Sequence, residues 1–309
     1  MSGVDADWEL RLAAFDHLSR LRDRSGGLVS LADLEAGFEF RGERIPLFNR
    51  YRGIWRPKQL GAEGPALSIT TTPPRAGKTP PYDDQVASED GWFVYRYQGE
   101  DPDLWTNRAV RRAMEVQRPL IYFYGIEPGL YEAVYPVYVV GDDPADLTFH
   151  VAADVLGYAP IAPGIDPTQF AAQRGYQTVS VKKRLHQHRF RELVVRAYHT
   201  SCAVCHLRHG ELLDAAHILP DRDERGRPEV PNGLALCKIH HAAFDVDILG
   251  ISPDCLITIR HDVLDERDGP MLQHGLKEMH GALIQLPRRT ELRPNRDYLA
   301  ERYERFLAA

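Results

Sequence analysis

The sequence predicts an α+β protein in two domains, a β-rich one followed by a smaller one organised around metal. Three observations point there. The chain has 309 residues, and one hydrophobic core rarely serves ~300. Residues 65–159 carry a succession of strand-like runs. All four cysteines and 11 of 13 histidines lie after residue 180. Composition is ordinary for a globular chain, with 27% charged and 43% hydrophobic residues. That excludes a collagen-like, disordered or disulfide-scaffold protein. No apolar run approaches the ~18 residues a bilayer span needs. The acidic N-terminus lacks a signal-peptide core, so a cytoplasmic protein without a membrane partner is expected.

The elements follow in order. Residues 7–24 place Leu10, Ala14, Phe15, Leu18 and Leu21 at helical spacing, and Gly26-Gly27 stops that helix. Ser30 reads as the N-cap of a short helix, Leu31 to Ala36. The segment from Gly37 to Leu60 reads as strand, turn, strand. Residues 1–49 are therefore either a small winged-helix-like segment or a cap on the next domain. Strands are expected over 66–72, 91–98, 119–124 and 133–141, with one helix over 107–116. Residues 50–158 form the expected β-rich domain. The Pro-rich stretch APIAPGIDPT opens a linker over 159–180. The second domain occupies 181–309 and begins with a basic helix, 182–199, carrying Lys182, Lys183, Arg184, Arg189, Arg191 and Arg196. Residues 297–307 read as a C-terminal helix, either packed on its own domain or offered to a second copy.

Charge is uneven. Residues 1–180 hold 18 Lys+Arg and 25 Asp+Glu, and residues 181–309 hold 20 and 19. Within the acidic half, positive charge clusters at Arg50, Arg52, Arg56 and Lys58, and again at Arg108, Arg111 and Arg112. Local patches rather than net charge set phosphate contact. Arg52, Arg56, Lys182, Lys183 and Arg184 are the candidate phosphate-backbone contacts.

Cys202-x2-Cys205 and Cys237-x2-His240 are two knuckles. Three thiolates and an imidazole suit tetrahedral zinc in a closed structural site; the competing reading is a Cys202–Cys205 disulfide. Between and beside the knuckles stand His217, after the strand-like ELLDAA, Asn232, in Pro-Asn-Gly, and His241. AHILP, the following NG and LCKIHHAAFD resemble the HNH (ββα-metal) endonuclease motif, in the zinc-stapled version found in many bacterial restriction enzymes. The resemblance implies hydrolysis of a DNA phosphodiester with one divalent cation, Mg²⁺ or Mn²⁺/Co²⁺/Ni²⁺. It implies that His217 is the general base, that His241 is a metal ligand, and that Asn232 pins the loop and orients the base. Many relatives carry a metal-ligating Asp or His just before the base, where this chain has Ala216. Asp214 is the nearest carboxylate. Its odd offset from His217 would turn it to the other strand face, leaving open whether Asp214 or water and phosphate completes the coordination. Asp245 is expected to brace the helix.

Residues 80–101, PPYDDQVASEDGWFVYRYQGED, together with the Asn107 helix and the tyrosine-rich strands that follow, resemble the SRA (SET- and RING-associated) domain. That family has a PUA-type β-barrel and flips a modified cytosine out of duplex DNA. Extrusion costs a few kcal/mol of stacking, regained between aromatic rings. Tyr82 and Tyr97 are the candidate clamps and Asp84 the candidate partner of the cytosine amine. The two resemblances together imply a modification-dependent endonuclease of the type IV, McrA-like kind. It would read 5-methylcytosine or a related base in double-stranded DNA, and as a single-strand cutter it could work as a homodimer. Two other readings stay open: an HNH endonuclease reading an unmodified sequence, and a zinc-containing DNA-binding protein without catalysis.

Overall fold

In a computed structural model, described over residues 6–25, 27–49, 51–71, 92–153, 167–267 and 269–309, the apolar spacing of the N-terminus becomes helix α1 (Ala6–Ser25). Leu10, Ala14, Phe15 and Leu18 form its buried stripe. Strand β1 (Leu28–Ser30) leads into helix α2 (Leu31–Ala36). Ser30 caps α2 as expected: its hydroxyl accepts from the Asp33 amide at 3.2 Å, and the Asp33 carboxylate accepts from the Ser30 amide at 3.3 Å. The hairpin β2 (Phe38–Phe40) and β3 (Glu43–Ile45) follows.

The main sheet is built from β4 (Ile54–Trp55), β5 (Ser68–Thr70), β6 (Phe93–Arg96), β7 (Leu120–Glu127), β8 (Leu130–Asp143) and β9 (Thr148–Ala153), with helix α3 (Trp105–Glu115) between β6 and β7. Its order is β4-β5-β7-β8-β9-β6, and β1 pairs with β8. Only β5 and β7 run parallel. Strand β7 is buried along its whole length because it has cover on both faces. Leu120, Tyr122, Tyr124 and Ile126 point into one core with Val110 and Val139. Ile121 and Phe123 point into the other, with Leu10, Phe15 and Leu34. The N-terminal helices and hairpin thus cover one face of the sheet.

The expected β-rich domain is present as a curled sheet. Among the described residues no ladder joins its edges. The Tyr95 hydroxyl on β6 instead donates to the carbonyl of Gly53, beside β4, at 2.8 Å. Asn107, fully buried on α3, accepts from the Gln98 amide at 2.9 Å and donates to the carbonyls of Gln98 and Asp101. It fastens the end of β6 to α3. Strand β9 has no counterpart in the sequence reading, because THR-PHE-HIS alternates too briefly to stand out. Tyr82 and Asp84, residues 72–91 generally, and 154–166, which include 159–166 of the expected linker, lie outside the described residues.

Helix α4 (Pro167–Ala197) begins earlier than the basic helix expected from the sequence and includes 167–180. The chain divides into two units, 1–185 and 186–309, within this helix. Val181 and Leu185 belong to the first unit's core, and Phe190, Val194 and Val195 to the second's. The second unit continues with the hairpin β10 (Leu213–His217) and β11 (Gly233–Cys237), then helix α5 (Lys238–Asp245). A second hairpin, β12 (Leu249–Ile251) and β13 (Ile257–Ile259), follows. Helices α6 (His261–Asp265), α7 (Pro270–Gly275) and α8 (Arg296–Leu307) complete it. Helix α8 packs on its own unit through Leu299, Arg302 and Phe306. No helix among the described residues is long and apolar enough to cross a membrane.

Phe123 is fully buried under the N-terminal helices. Phe123→Ala is expected to destabilise the first unit by about 3–5 kcal/mol, read as a lowered denaturant midpoint.

Candidate nuclease site and zinc centre

Two five-residue strands and an eight-residue helix are too little to bury a core of their own. Cys202, Cys205, Cys237 and His240 come together at their base, with all four ligand atoms within 4.8 Å of one another. His240 Nδ1 lies 3.5 Å from Cys202 Sγ and 3.1 Å from Cys237 Sγ, and Cys205 Sγ lies 3.9 Å from Cys237 Sγ. Metal–ligand bonds of ~2.0–2.3 Å at tetrahedral angles give edges of about 3.5–3.8 Å, so this set fits zinc. All four cysteines are free thiols, and the disulfide alternative falls. The Cys237 amide donates to Cys202 Sγ at 3.3 Å. His240 Nε2 donates to the Gly275 carbonyl at 2.6 Å, which leaves Nδ1 as the ligating nitrogen.

Successive residues on a helix point ~100° apart. His240 therefore faces the zinc ligands, while His241 turns into a cleft of about 430 Å³ that also holds His217, Asp214, Asp221, Asp245 and Arg305. His217 closes β10 opposite Gly233. Its ring stacks on Phe190 of α4, centroids 4.0 Å apart at 24°. Nε2 is shielded from solvent and has no hydrogen-bond partner, so packing rather than a hydrogen bond orients the ring. Burial holds the His217 pKa below its ordinary value, with His241 adding to the effect against Asp221 and Asp245. The imidazole is neutral at pH 7, the form a general base requires.

Asn232 is 2% exposed. Its Oδ1 accepts from the Leu219 amide at 2.9 Å, and its Nδ2 donates to the carbonyls of Leu219 and Arg227, both at 3.1 Å. The Asn232 carbonyl accepts from the Ile218 amide, next to His217. Asn232 thus pins the connection between the strands, the first of the roles implied by the resemblance. The glycine after it has φ −130°, so no turn demands it. A Cβ there would come within 2.4 Å of Val194 and 2.9 Å of Phe190, the residue that holds His217.

The expected orientation of Asp214 needs correction. The β10–β11 register is unbroken, and the Asp214 carboxylate is held by Lys238 and His241 of α5. Asp214 therefore lines the same cleft as His217, with Oδ2 3.6 Å from His241 Nδ1 and 2.8 Å from Lys238 Nζ. His241 first and Lys238 second hold its carboxyl well below the usual carboxylate range. On the other side, His241 Nε2 lies 3.4 Å from Asp245 Oδ2. Asp214 first, and Asp245 as well, push the His241 pKa up. Asp245 is half-exposed in the cleft and joins Asp214 and His241 as a candidate cation ligand, where bracing was expected. Two carboxylates and an imidazole are an oxygen-rich set suited to a hard divalent cation.

Sequence reasoning also missed Phe190 and Arg305. Arg302 is committed to Asp247 and the Phe244 carbonyl, whereas Arg305 is half-exposed in the cleft, with 3.3 Å contacts to Asp247. Among the candidate phosphate contacts, Lys182 is buried and donates to the Trp92 carbonyl. Arg184 pairs with the buried Glu132 at 3.3 Å, and Lys183 is exposed. Arg52 and Arg56 lie over the Trp105 ring. Tyr97 is 4% exposed, stacks on Phe149 at 4.5 Å, and bonds through its hydroxyl to Asp142 and Arg111. In this arrangement it is a core residue.

Comparison with known proteins agrees with the site. Residues 202–252 match the HNH endonuclease family model. Among solved structures, a modification-dependent TagI restriction endonuclease is similar at 17% identity over 82% of this chain and 84% of that one, with a TM-score of 0.27, too low to bear on the fold. No curated protein matches the chain. Residues 202–252 of the second unit carry the HNH endonuclease match, which supports a metal-dependent DNA endonuclease.

Phe190→Leu should leave zinc binding intact while exposing His217 to water. The acid limb of the cleavage-rate profile is then expected to move to higher pH, because the base loses the burial that keeps it deprotonated. Loss of ring placement should lower the single-turnover rate roughly 10- to 100-fold. An unchanged pH profile would show that Phe190 does not set the base.

Proposed function

We propose that the protein is a modification-dependent DNA endonuclease that acts in the cytoplasm. Its first unit reads 5-methylcytosine, or a related modified cytosine, by base flipping, and its second cuts the backbone nearby. The observation that carries the nuclease half is the placement of His217, His241, Asp214 and Asp245 in one cleft beside the zinc centre. His217, neutral and held by Phe190, takes a proton from the attacking water. His241, flanked by Asp214 and Asp245, holds the divalent cation, Mg²⁺ or Mn²⁺, with Co²⁺ and Ni²⁺ as alternatives. When bound, that cation supplies positive charge to the scissile phosphate. Asn232 keeps the strand ends that carry the base in register.

The reader half is supported by the sequence pattern Tyr82-Asp83-Asp84, Gly91 and Tyr95-Arg96-Tyr97-Gln98-Gly99. Tyr82 and Asp84 are the base-contacting residues in this reading. The burial of Tyr97 in the sheet core favours a second reading, in which the first unit recognises an unmodified sequence. One such module cuts one strand, so a double-strand break needs two modules or two visits.

The test is cleavage of one plasmid in cytosine-methylated and unmodified forms, with Mg²⁺ or Mn²⁺, against a His217→Ala control. Cleavage of the methylated plasmid alone, lost in the control, is the expected result. Equal cleavage of both forms would retain the nuclease and remove the modified-base reader.

A further inference from the structure

Two arginine clusters far apart in the sequence meet at Trp105, the first residue of α3. The Arg52 guanidinium lies 4.9 Å from the indole centroid and that of Arg56 4.8 Å. A cleft of about 300 Å³ opens beside them, lined by Arg56, Glu63, Arg108, Arg111, Arg112 and Glu115. Most of this charge is already matched. Arg111 is paired with Asp142 at 2.6 Å, Arg112 with Glu115 at 3.0 Å, and Arg108 with Glu63 at 3.9 Å. Arg52 and Arg56 form no salt bridge among the described residues. They are the surplus positive charge of this face, gathered on one aromatic ring. The ring's negative face offsets only part of the charge of two guanidiniums. A ligand with regularly spaced negative charges removes the rest.

A second observation narrows the ligand. Tyr51, next to Arg52, is 87% exposed. Its backbone and that of Arg52 are tied to Asn49. The Asn49 side chain accepts from the Tyr51 amide at 2.9 Å, and the Asn49 carbonyl accepts from the Arg52 amide at 3.2 Å. The turn is anchored at Gly53, whose carbonyl accepts from the Tyr95 hydroxyl at 2.8 Å and from the Thr70 amide at 2.7 Å. A Cβ on Gly53 would stand 2.8 Å from that hydroxyl, so the glycine lets β6 come close enough to hold the turn. An aromatic ring presented on a fixed turn beside unpaired guanidiniums is the combination that grips nucleic acid: charge for the backbone, a flat apolar face for a base.

We propose that this face is a duplex-DNA contact. Arg52 and Arg56 engage neighbouring backbone phosphates across Trp105, and Tyr51 packs its ring against a base or sugar of the same duplex. The proposal rests on the reading that the first unit engages DNA and deepens it. It assigns the contacting face and adds Tyr51 as a stacking residue and Trp105 as the platform for both arginines.

The test uses the full chain with His217→Ala, so that DNA is bound without being cut, and labelled duplexes in methylated and unmodified forms. Affinity is measured by fluorescence anisotropy across a salt series. Arg52→Gln with Arg56→Gln should bind both duplexes about tenfold or more weakly at ~100 mM salt. Its log–log salt slope should be shallower by about 2. Tyr51→Ala should weaken binding roughly fivefold or more without changing the slope, and Tyr51→Phe should restore it. Each variant is checked for unchanged melting and zinc content. Binding by the folded arginine variant with the parent's affinity and slope would overturn the proposal, whatever the parent's preference for methylated DNA. Equal binding of both duplexes by the parent, with the variants weakened, would keep this face and remove the modified-base reader. A parent that binds neither duplex, or prefers single-stranded RNA, would overturn both.

Discussion

Between Cys202 and Asp245 the second unit has too little apolar surface to hold a catalytic geometry. The Cys202, Cys205, Cys237 and His240 cluster supplies the missing constraint. It ties the segment after α4 to the end of β11 and the first turn of α5. Everything catalytic hangs from those three points. β11 sets the register of β10, and β10 ends in His217. Helix α5 carries His240 toward the cluster and His241 toward the cleft. Structural zinc sites contribute folding free energy directly, so a zinc held here would, in the proposed reading, fix the groups that act on substrate without touching it.

The cleft separates two histidines by environment. His217 lies under Phe190 and is held neutral by burial. His241 lies between Asp214 and Asp245 and is pushed toward the charged form, which is the signature of a position made for a cation. Opposite shifts on two residues of one type fit the proposed division between base and ligand. Asn232 spends its whole amide on the loop and so acts on the reaction only through the backbone beside His217. Lys238, now on Asp214, occupies charge that a bound cation would replace.

What was legible in the sequence was local or combinatorial. The Ser30 cap, the stop at Gly26-Gly27, the β7 run and the zinc ligands depend on spacings of a few residues or on rare residue types in a tight pattern. What was not legible depends on distant pieces meeting. Phe190 reads as one more apolar residue of α4 until β10 places His217 against it. Asp214 was misdirected by reading alternation alone, because its partners Lys238 and His241 lie on α5, distant in sequence. Asp245 looked like a brace because its helical spacing from His241 was legible, while the cleft of His217 and Asp214 that both residues face was not. Lys182 and Arg184 read as free basic charge, yet Trp92 and Glu132, far upstream, hold them. In the first unit, the expected strands appear, while Tyr97 takes a core position that the aromatic pattern alone cannot distinguish from a binding one.

In the proposed reading adjacent histidines serve different metals, His240 a structural zinc and His241 the catalytic cation. The most direct measurement is zinc content and DNA cleavage for His240→Ala and His241→Ala, side by side. The account predicts that His241→Ala keeps one zinc per chain and the parent's melting profile while cleavage is lost. His240→Ala should lose zinc, folded stability of the second unit and cleavage together. A His241→Ala protein that sheds its zinc, or one that still cuts DNA at the parent's rate, would contradict it.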